Sequence, residues 1–152
     1  MALNHITFYS KLMEMEMGID VIIPENKWGY SLAERPKDYK YPVLWLLCGG
    51  GFDYTDWQRY TAIELYAAQA GIAVVMPSAY YSGYMDTIHG DYKYFSVITD
   101  EISKLAVKLF PLSEKREDNF HGRLWCIQVG DAQSGKVPVL WCFFGTDRDR
   151  ST

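Results

Sequence analysis

Alternating apolar and polar positions predict two strands at the N-terminus. Residues 3–9 partly alternate between the two kinds of side chain, the period of a strand with one buried face. Residues 15–23 form a second such segment, which ends at Pro24, a residue that interrupts strand pairing. We expect the two segments to pair as an antiparallel hairpin.

Two unbroken apolar runs predict strands that are buried on both faces. Residues 43–48 follow a polar segment, 25–41, that predicts a loop, and they lead into three consecutive glycines. Residues 72–76 end at Pro77. Short, continuous apolar strands are typical of parallel sheets covered by helices on both sides.

A segment with apolar residues at the spacing of a helix follows each of these two apolar runs. Residues 53–71 carry Trp57 and further apolar side chains three to four positions apart, with Thr55 or Asp56 as the N-cap and Gly71 as the stop. Residues 78–91 predict a loop, and residues 92–110 a second helix that ends before Pro111. The apolar stripe of that helix comprises Ile98, Ile102, Leu105 and Leu109. Alternating strands and helices predict an α/β fold with a mostly parallel sheet.

Composition limits the class of protein. With 152 residues and 49% hydrophobic side chains, the chain suffices for one domain with a core and is not predicted to be disordered. Its longest apolar run is too short to span a membrane, and the net charge of −4 argues against nucleic acid as the main partner. The N-terminal residues lack a secretory signal, and three dispersed cysteines do not predict a disulfide framework. We expect a cytoplasmic protein.

The three glycines are the first candidate for chemistry. Gly49, Gly50 and Gly51 follow a buried strand directly, where glycine lets backbone N–H groups point at a ligand. A tight turn without ligand is an equally good interpretation. No Gly-Lys-Ser/Thr follows, and the spacing is not that of a dinucleotide-binding loop.

Other reactive side chains give weaker signals. His5, His89 and His121 lack metal-ligand spacing, so no metal site is predicted. Cys48 is expected to be an inert core thiol; the weaker alternative makes it a nucleophile, with His89 as base and Asp86 orienting that base.

Several segments in consistent order resemble the esterase D / tributyrin esterase family of α/β-hydrolases, over residues 1–120. The segments are Tyr41-Pro-Val-Leu-Trp-Leu-Leu-Cys-Gly-Gly-Gly51, Asp53-Tyr-Thr-Asp-Trp57, Val74-Val-Met-Pro77, Lys93-Tyr-Phe95 and Leu109-Phe-Pro-Leu-Ser-Glu-Lys-Arg-Glu-Asp118. The resemblance implies an incomplete α/β-hydrolase fold and no cofactor. It also implies hydrolysis of short acyl esters or S-formylglutathione-type thioesters through a serine acyl-enzyme.

The resemblance also suggests which residues form the site. Backbone N–H groups of Gly50 and Gly49 would form part of the oxyanion hole, and Cys48 stands where the family has His. Trp57 would pack near the acyl group. The tyrosines of the following loop either line that pocket or pack in the core; they are Tyr80, Tyr81 and Tyr84.

The family's nucleophile is missing from these 152 residues. No Gly-x-Ser-x-Gly occurs, and Ser134 lies in a polar, turn-like stretch. The Asp and His that follow the nucleophile in this family also have no counterpart, so we expect the chain to be inactive alone. The alternative is a non-catalytic module that binds a small ester or other ligand, or that pairs with another subunit. An exposed edge of the incomplete sheet would favour self-association.

Residues 121–152 form an atypical tail with two interpretations. If the tail is back-translated from the second base of the His121 codon, Trp125-Cys126 and Trp141-Cys142 each specify Gly, and permitted codons give Tyr-Gly-Ala, Pro-Glu-Lys-Phe and Ser-Gly in family order. This pattern predicts a frameshifted translation with a small deletion at the nucleophile. The alternative is a β-hairpin formed by residues 123–129 and 137–144.

Overall fold

The computed structural model describes residues 1–25, 36, 38–88, 90–123 and 141–142; of residues 121–123 and 141–142 it describes the backbone. Strands β1 (Ala2–Ser10) and β2 (Met15–Ile23) form the predicted antiparallel hairpin, which closes with Ser10 opposite Met15. Side chains of β1 alternate between partly buried and exposed, whereas most of β2 is buried. The N-terminal pattern therefore predicted the pairing and its buried face.

Four further strands complete a six-stranded sheet in the order β1-β2-β4-β3-β5-β6. They are β3 (Val43–Leu47), β4 (Ala73–Pro77), β5 (Asn119–Arg123) and β6 (Trp141–Cys142). Strand β3 runs parallel to both of its neighbours, β4 and β5, and all five residues of β4 are buried. The C-terminal end of β3 therefore opens at the centre of the sheet.

The first predicted helix is two helices, α1 (Asp56–Tyr60) and α2 (Ile63–Ala70). Between them Thr61 is extended, and its hydroxyl donates to the carbonyl oxygen of Trp57. A threonine that bonds back to a carbonyl in this way competes with helix continuation. Helix α2 ends as predicted at Gly71, whose φ of 65° is left-handed.

The second predicted helix contains a π-helical stretch. Helix α3 (Tyr94–Ser96), the π-helical residues Val97–Ile102 and helix α4 (Ser103–Leu109) follow one another without a break. The wider π turn inserts one residue per turn and shifts which side chains face the sheet. Val97, Ile102 and Ala106 are fully buried, while Leu109 is 51% exposed. The predicted apolar stripe was therefore wrong at its C-terminal end.

Two apolar clusters place helices on opposite faces of the sheet. One packs helix α2 against β2, β3 and β4; its buried members are Ile22, Leu46, Ile63, Ala67, Val74 and Met76. The other packs the π-helical stretch and α4 against the second face and includes Val43, Trp45, Val75, Val97, Ile102 and Ala106. The three layers, the parallel central strands and the hairpin confirm the predicted fold class.

The predictions for the tail and the first long loop fall mostly outside the described residues. Within the described part, Trp141–Cys142 pairs in parallel with the backbone of residues 121–122. Residues 26–35 and 37 of the predicted loop 25–41, and most of the hairpin predicted from 123–129 and 137–144, lie outside the described residues. Among the described residues, no helix has the length and apolar character needed to cross a membrane.

Candidate functional site

The glycines after β3 form a tight turn, the glycine turn (residues 49–52). The Phe52 N–H donates to the Gly49 carbonyl over 3.3 Å, and Gly51 at the third position has a φ of 86°. A positive φ at that position is the requirement of a type II turn. The Gly51 N–H donates to the Tyr80 carbonyl over 3.2 Å, which ties the turn to the loop after β4.

Gly50 stands at the exposed corner of this turn. A Cβ built on Gly50 would meet no atom within 4 Å, so side-chain bulk is tolerated there. Among the described residues, the Gly50 N–H has no hydrogen bond to a protein acceptor. The structure thus supports the tight-turn interpretation, and it leaves a backbone donor at the end of the central strand available to a ligand.

Buried polar contacts fix the strand end beneath the turn. The Tyr84 hydroxyl donates to the Cys48 carbonyl over 2.7 Å and lies 3.2 Å from the Cys48 thiol. The indole N–H of Trp57 donates to the Leu47 carbonyl over 3.1 Å. Tyr84 and Cys48 are both buried, so they support the backbone from below rather than face a ligand.

A second network holds Tyr54, two residues after the turn. Its backbone N–H donates to the Ser78 hydroxyl over 3.0 Å, and its phenol lies 3.2 Å from His5 Nε2. His5 Nδ1 lies 2.6 Å from the buried Asp20 carboxylate, which also accepts from the Gln58 amide. Burial, and then the Asp20 charge, raise the pKa of the Tyr54 phenol. This network was not predicted from the sequence, although the hairpin register places His5 opposite Asp20.

A cleft of about 270 Å³ opens beside the glycine turn, between α1 and the loop after β4. It is lined by Gly51, Phe52, Asp53, Asp56, Arg59, Tyr60 and Tyr80. A second cavity of about 20 Å³ lies next to it, lined by Gly49, Asp56, Trp57, Tyr60 and Thr61. Asp56 and Tyr60 line both spaces, which therefore adjoin each other along α1.

Asp56 is the unusual polar group of this region. Its side chain is only 7% exposed, and its Oδ2 atom has no hydrogen-bond partner among the described residues. Burial raises the pKa of the Asp56 carboxyl, the Asp53 charge raises it further, and Arg59 opposes the change. The position of Asp56 in the sequence predicted a helix cap, and nothing in the residue pattern indicates that its carboxyl is left unpaired.

The predicted aromatic pocket is only partly assembled. Trp57 lines the small cavity and Tyr80 the larger cleft. Tyr81 is 88% exposed, with its ring over Gly51, where an added Cβ would lie 2.6 Å from it. Tyr84 packs beneath the turn and lines neither space.

The cysteine-nucleophile alternative receives no geometric support. Cys48 is 3% exposed, and its thiol donates to the Phe52 carbonyl over 3.4 Å. Asp86 accepts hydrogen bonds from the backbone and hydroxyl of Ser96. The proposed base, His89, lies outside the described residues.

Comparison with known proteins finds several proteins that are similar to this chain in sequence or in structure. No family model matches the chain. It is 29% identical over 135 residues to an acetyl esterase of Caldicellulosiruptor saccharolyticus, a match that covers 89% of this chain and 51% of the relative. The chain therefore spans about half the length of the curated relative that it matches.

Solved structures show the same partial coverage. The serine hydrolase FphF of Staphylococcus aureus, which binds fluorophosphonate, superposes with a TM-score of 0.69 at 33% identity, over 80% of this chain and 46% of its own. The S-formylglutathione hydrolase FrmB of the same species gives 0.62 at 31% identity, over 81% and 48%. An S-formylglutathione hydrolase of Agrobacterium tumefaciens, at 18% identity, shares the fold with a TM-score of 0.64.

Proposed function

Because this chain is similar to the N-terminal half of α/β-hydrolase esterases, we propose that its glycine turn is the oxyanion-binding part of a carboxylic ester hydrolase. The substrates are short acyl esters or S-formylglutathione-type thioesters. The reaction is acyl transfer to a serine, and it requires no cofactor. The hydrolase relatives support the ester chemistry, and the names of the solved neighbours support the thioester alternative.

The single observation that carries this proposal is the exposed N–H of Gly50 at the end of the central parallel strand. When a serine attacks an ester carbonyl, negative charge develops on the carbonyl oxygen. A backbone donor fixed near that oxygen stabilises the charge without having to reorient. The contacts beneath the turn, from Tyr84 to Cys48 and from Trp57 to Leu47, supply the rigidity that such a donor needs. Gly49, the other proposed contributor, is buried at the strand end.

We further propose that the 152-residue chain does not itself form an acyl-enzyme, because it contains no Gly-x-Ser-x-Gly. The test exposes the whole chain to a fluorescent fluorophosphonate and to p-nitrophenyl acetate, with an intact esterase as positive control. We expect neither covalent labelling nor turnover above a heat-denatured sample. Stoichiometric labelling of a serine would contradict the proposal.

The oxyanion assignment is tested in a chimera that joins residues 1–120 to the C-terminal half of the Staphylococcus S-formylglutathione hydrolase. Gly50→Pro fits the second position of a type II turn and replaces the N–H by a ring carbon that cannot donate. Gly50→Ala keeps the N–H, and its Cβ has room. We expect kcat to fall about 100- to 1,000-fold for proline and to stay near the parent value for alanine. Equal rates for the two variants would refute the assignment.

The alternative function is a non-catalytic module that binds a small ligand or another subunit. The cleft beside the turn favours it, because binding a ligand there needs no nucleophile. If the whole chain binds a ligand and the fluorophosphonate does not label it covalently, this alternative is favoured over an active esterase. Self-association through an exposed edge of the sheet remains a prediction, which light scattering after size-exclusion chromatography tests.

For the tail, we propose the frameshift that back-translation of its sequence predicts. Residues 1–120 are then the hydrolase-related part, and residues 121–152 are translated in a shifted frame. The coding DNA from the Lys115 codon onward tests this directly. Codons that permit Tyr-Gly-Ala, Pro-Glu-Lys-Phe and Ser-Gly in the shifted frame support it. A codon that excludes those residues refutes it, and the binding-module alternative then becomes the preferred function.

A further inference from the structure

Strand β1 forms one edge of the sheet, and its outer side has no neighbouring strand among the described residues. Its nine residues pair one-to-one with β2, so no bulge bends the strand. An edge of this kind pairs readily with another strand unless charged side chains, proline or a bulge prevent it. From Ala2 to Ser10 the strand contains no Lys, Arg, Asp, Glu or Pro. The β1 edge therefore lacks the features that keep sheet edges unpaired.

The hydrogen bonds of β2 show which backbone groups of β1 point outward. Successive residues of an antiparallel strand direct their N–H and C=O groups to opposite sides. The Gly18 carbonyl accepts from the N–H of Ser78, directly after β4, over 3.4 Å, so Gly18 faces β4 and Ile19 faces β1. Since Ile19 pairs with Ile6, the even-numbered residues of β1 bond to β2. The outward N–H and C=O groups, which have no bond within the described part of the chain, belong to Leu3, His5, Thr7 and Tyr9.

The β1 edge is complementary to itself. Two copies related by a two-fold axis through Ile6 would place Leu3 opposite Tyr9 and, in the same way, His5 opposite Thr7. In this register every outward N–H and C=O group of the strand meets an acceptor or donor of the other copy. A shift by two residues would leave the outward groups at one end of the strand without partners. No charged side chain of the strand faces another, so the net charge of −4 does not oppose this pairing locally.

Apolar side chains on both faces of β1 would add contacts to this pairing. On one face, Ile6 and Phe8 are only partly buried and pack against the core cluster from its edge. On the other face, Leu3 is 45% and Tyr9 61% exposed. Across the axis Ile6 would meet its own copy, and Leu3 would lie beside Tyr9. A second copy would therefore cover apolar surface that a single chain leaves in water.

We propose that the β1 edge binds a second copy of this chain, forming a two-fold dimer in which the two sheets continue through antiparallel β1 strands. The association closes at two copies, because each chain has one β1 edge. It assigns the self-association expected of this sheet to one particular edge. It uses neither the glycine turn nor the cleft beside it, so it is independent of the proposed ester chemistry.

The first experiment measures the mass of the whole 152-residue chain by light scattering after size-exclusion chromatography, over a range of concentrations. Thr7→Pro removes an outward N–H and leaves the bonds to β2 in place, whereas Thr7→Ala removes the same side chain and keeps the N–H. Wild type and Thr7→Ala should shift from the mass of one chain toward twice that mass as concentration rises. Thr7→Pro should dimerise about tenfold more weakly or not at all. Circular dichroism checks that each variant is folded.

Cysteine cross-linking tests the register and does not depend on the proline variant. Ile6→Cys would place two thiols across the axis, at a pair whose Cα atoms lie about 4.5 Å apart, within the range of a disulfide. Asn4→Cys is the matched control on the same face, because its two copies would lie about 13 Å apart along the strands. Oxidation should link the tryptic peptide of residues 1–11 to itself in Ile6→Cys alone.

Three results would overturn the proposal. They are a single-chain mass at every concentration, equal dimerisation of Thr7→Pro and Thr7→Ala, and equal cross-linking of the two cysteine variants.

Discussion

The contact between Gly18 and Tyr54 gives a sharp prediction, because a single methyl group should disturb the loop that carries the glycine turn. A Cβ built on Gly18 in strand β2 would lie 2.4 Å from Cε1 and 2.9 Å from Cδ1 of the Tyr54 ring. The ring cannot move away freely, since its hydroxyl contacts His5 and its centroid lies 4.7 Å from the imidazole. Gly18→Ala should therefore lower the free energy of unfolding by about 1–3 kcal/mol, the usual cost of overpacking.

A double-mutant cycle separates this clash from any other effect of the substitution. In a Tyr54→Ala background the obstructing ring is gone, and alanine is favoured over glycine within a strand by about 0.5–1 kcal/mol. Gly18→Ala should then be neutral or stabilising, with a coupling energy of about 1–4 kcal/mol between the two positions. Urea denaturation followed by circular dichroism measures all four chains. Equal destabilisation by Gly18→Ala in both backgrounds would refute the reasoning.

Three further predictions concern the helices. Ile102→Ala should destabilise the chain by about 2–5 kcal/mol, whereas Leu109→Ala should change stability by no more than about 0.5 kcal/mol. The reason is that the π-helical stretch buries Ile102 and leaves Leu109 exposed. Similar losses of stability for both variants in urea denaturation would show that this assignment of buried positions is wrong. Gly71→Ala should cost about 1–2 kcal/mol by the same measurement, since its φ of 65° is unfavourable for alanine, and no loss would contradict the left-handed cap. The pKa of the Asp56 carboxyl is raised above 3.8, so its ionisation disfavours the fold. Asp56→Asn should therefore match wild type at a pH below about 3.8 and become relatively more stable as pH rises through the raised pKa; a constant difference in melting temperature across pH would contradict this.

The strands were predictable because their burial follows directly from local sequence. An alternating segment has one buried face and a continuous apolar run has two, and both rules hold for β1, β3 and β4. The helices were less predictable, because their interruptions depend on single interactions. The back-bonded hydroxyl of Thr61 and the extra residue of the π turn do not change the hydrophobic spacing that the sequence displays.

The candidate site also contains some features that the sequence predicts and others that it does not. The glycine turn was predictable, since three glycines after a buried strand leave few alternatives. The unpaired oxygen of Asp56 was not, because a carboxylate at the start of a helix is ordinarily explained by capping. For Tyr84 the sequence left two alternatives, a pocket or core packing, and the structure has the second, with the Tyr84 hydroxyl supporting the Cys48 backbone from inside the core.

The pairing order of the sheet has a consequence for how the chain folds. Strands β1 and β2 meet across a turn of four residues, so this hairpin can form as soon as both segments have left the ribosome. Strand β5, in contrast, joins the sheet when Asn119 pairs with Val43, and this pairing closes a loop that contains all the residues between them. Closing long loops costs entropy before any contact compensates it, and parallel pairings of this kind form slowly. We therefore expect β3 to remain without its β5 neighbour during synthesis, with an open, hydrogen-bonding edge that is a target for chaperones.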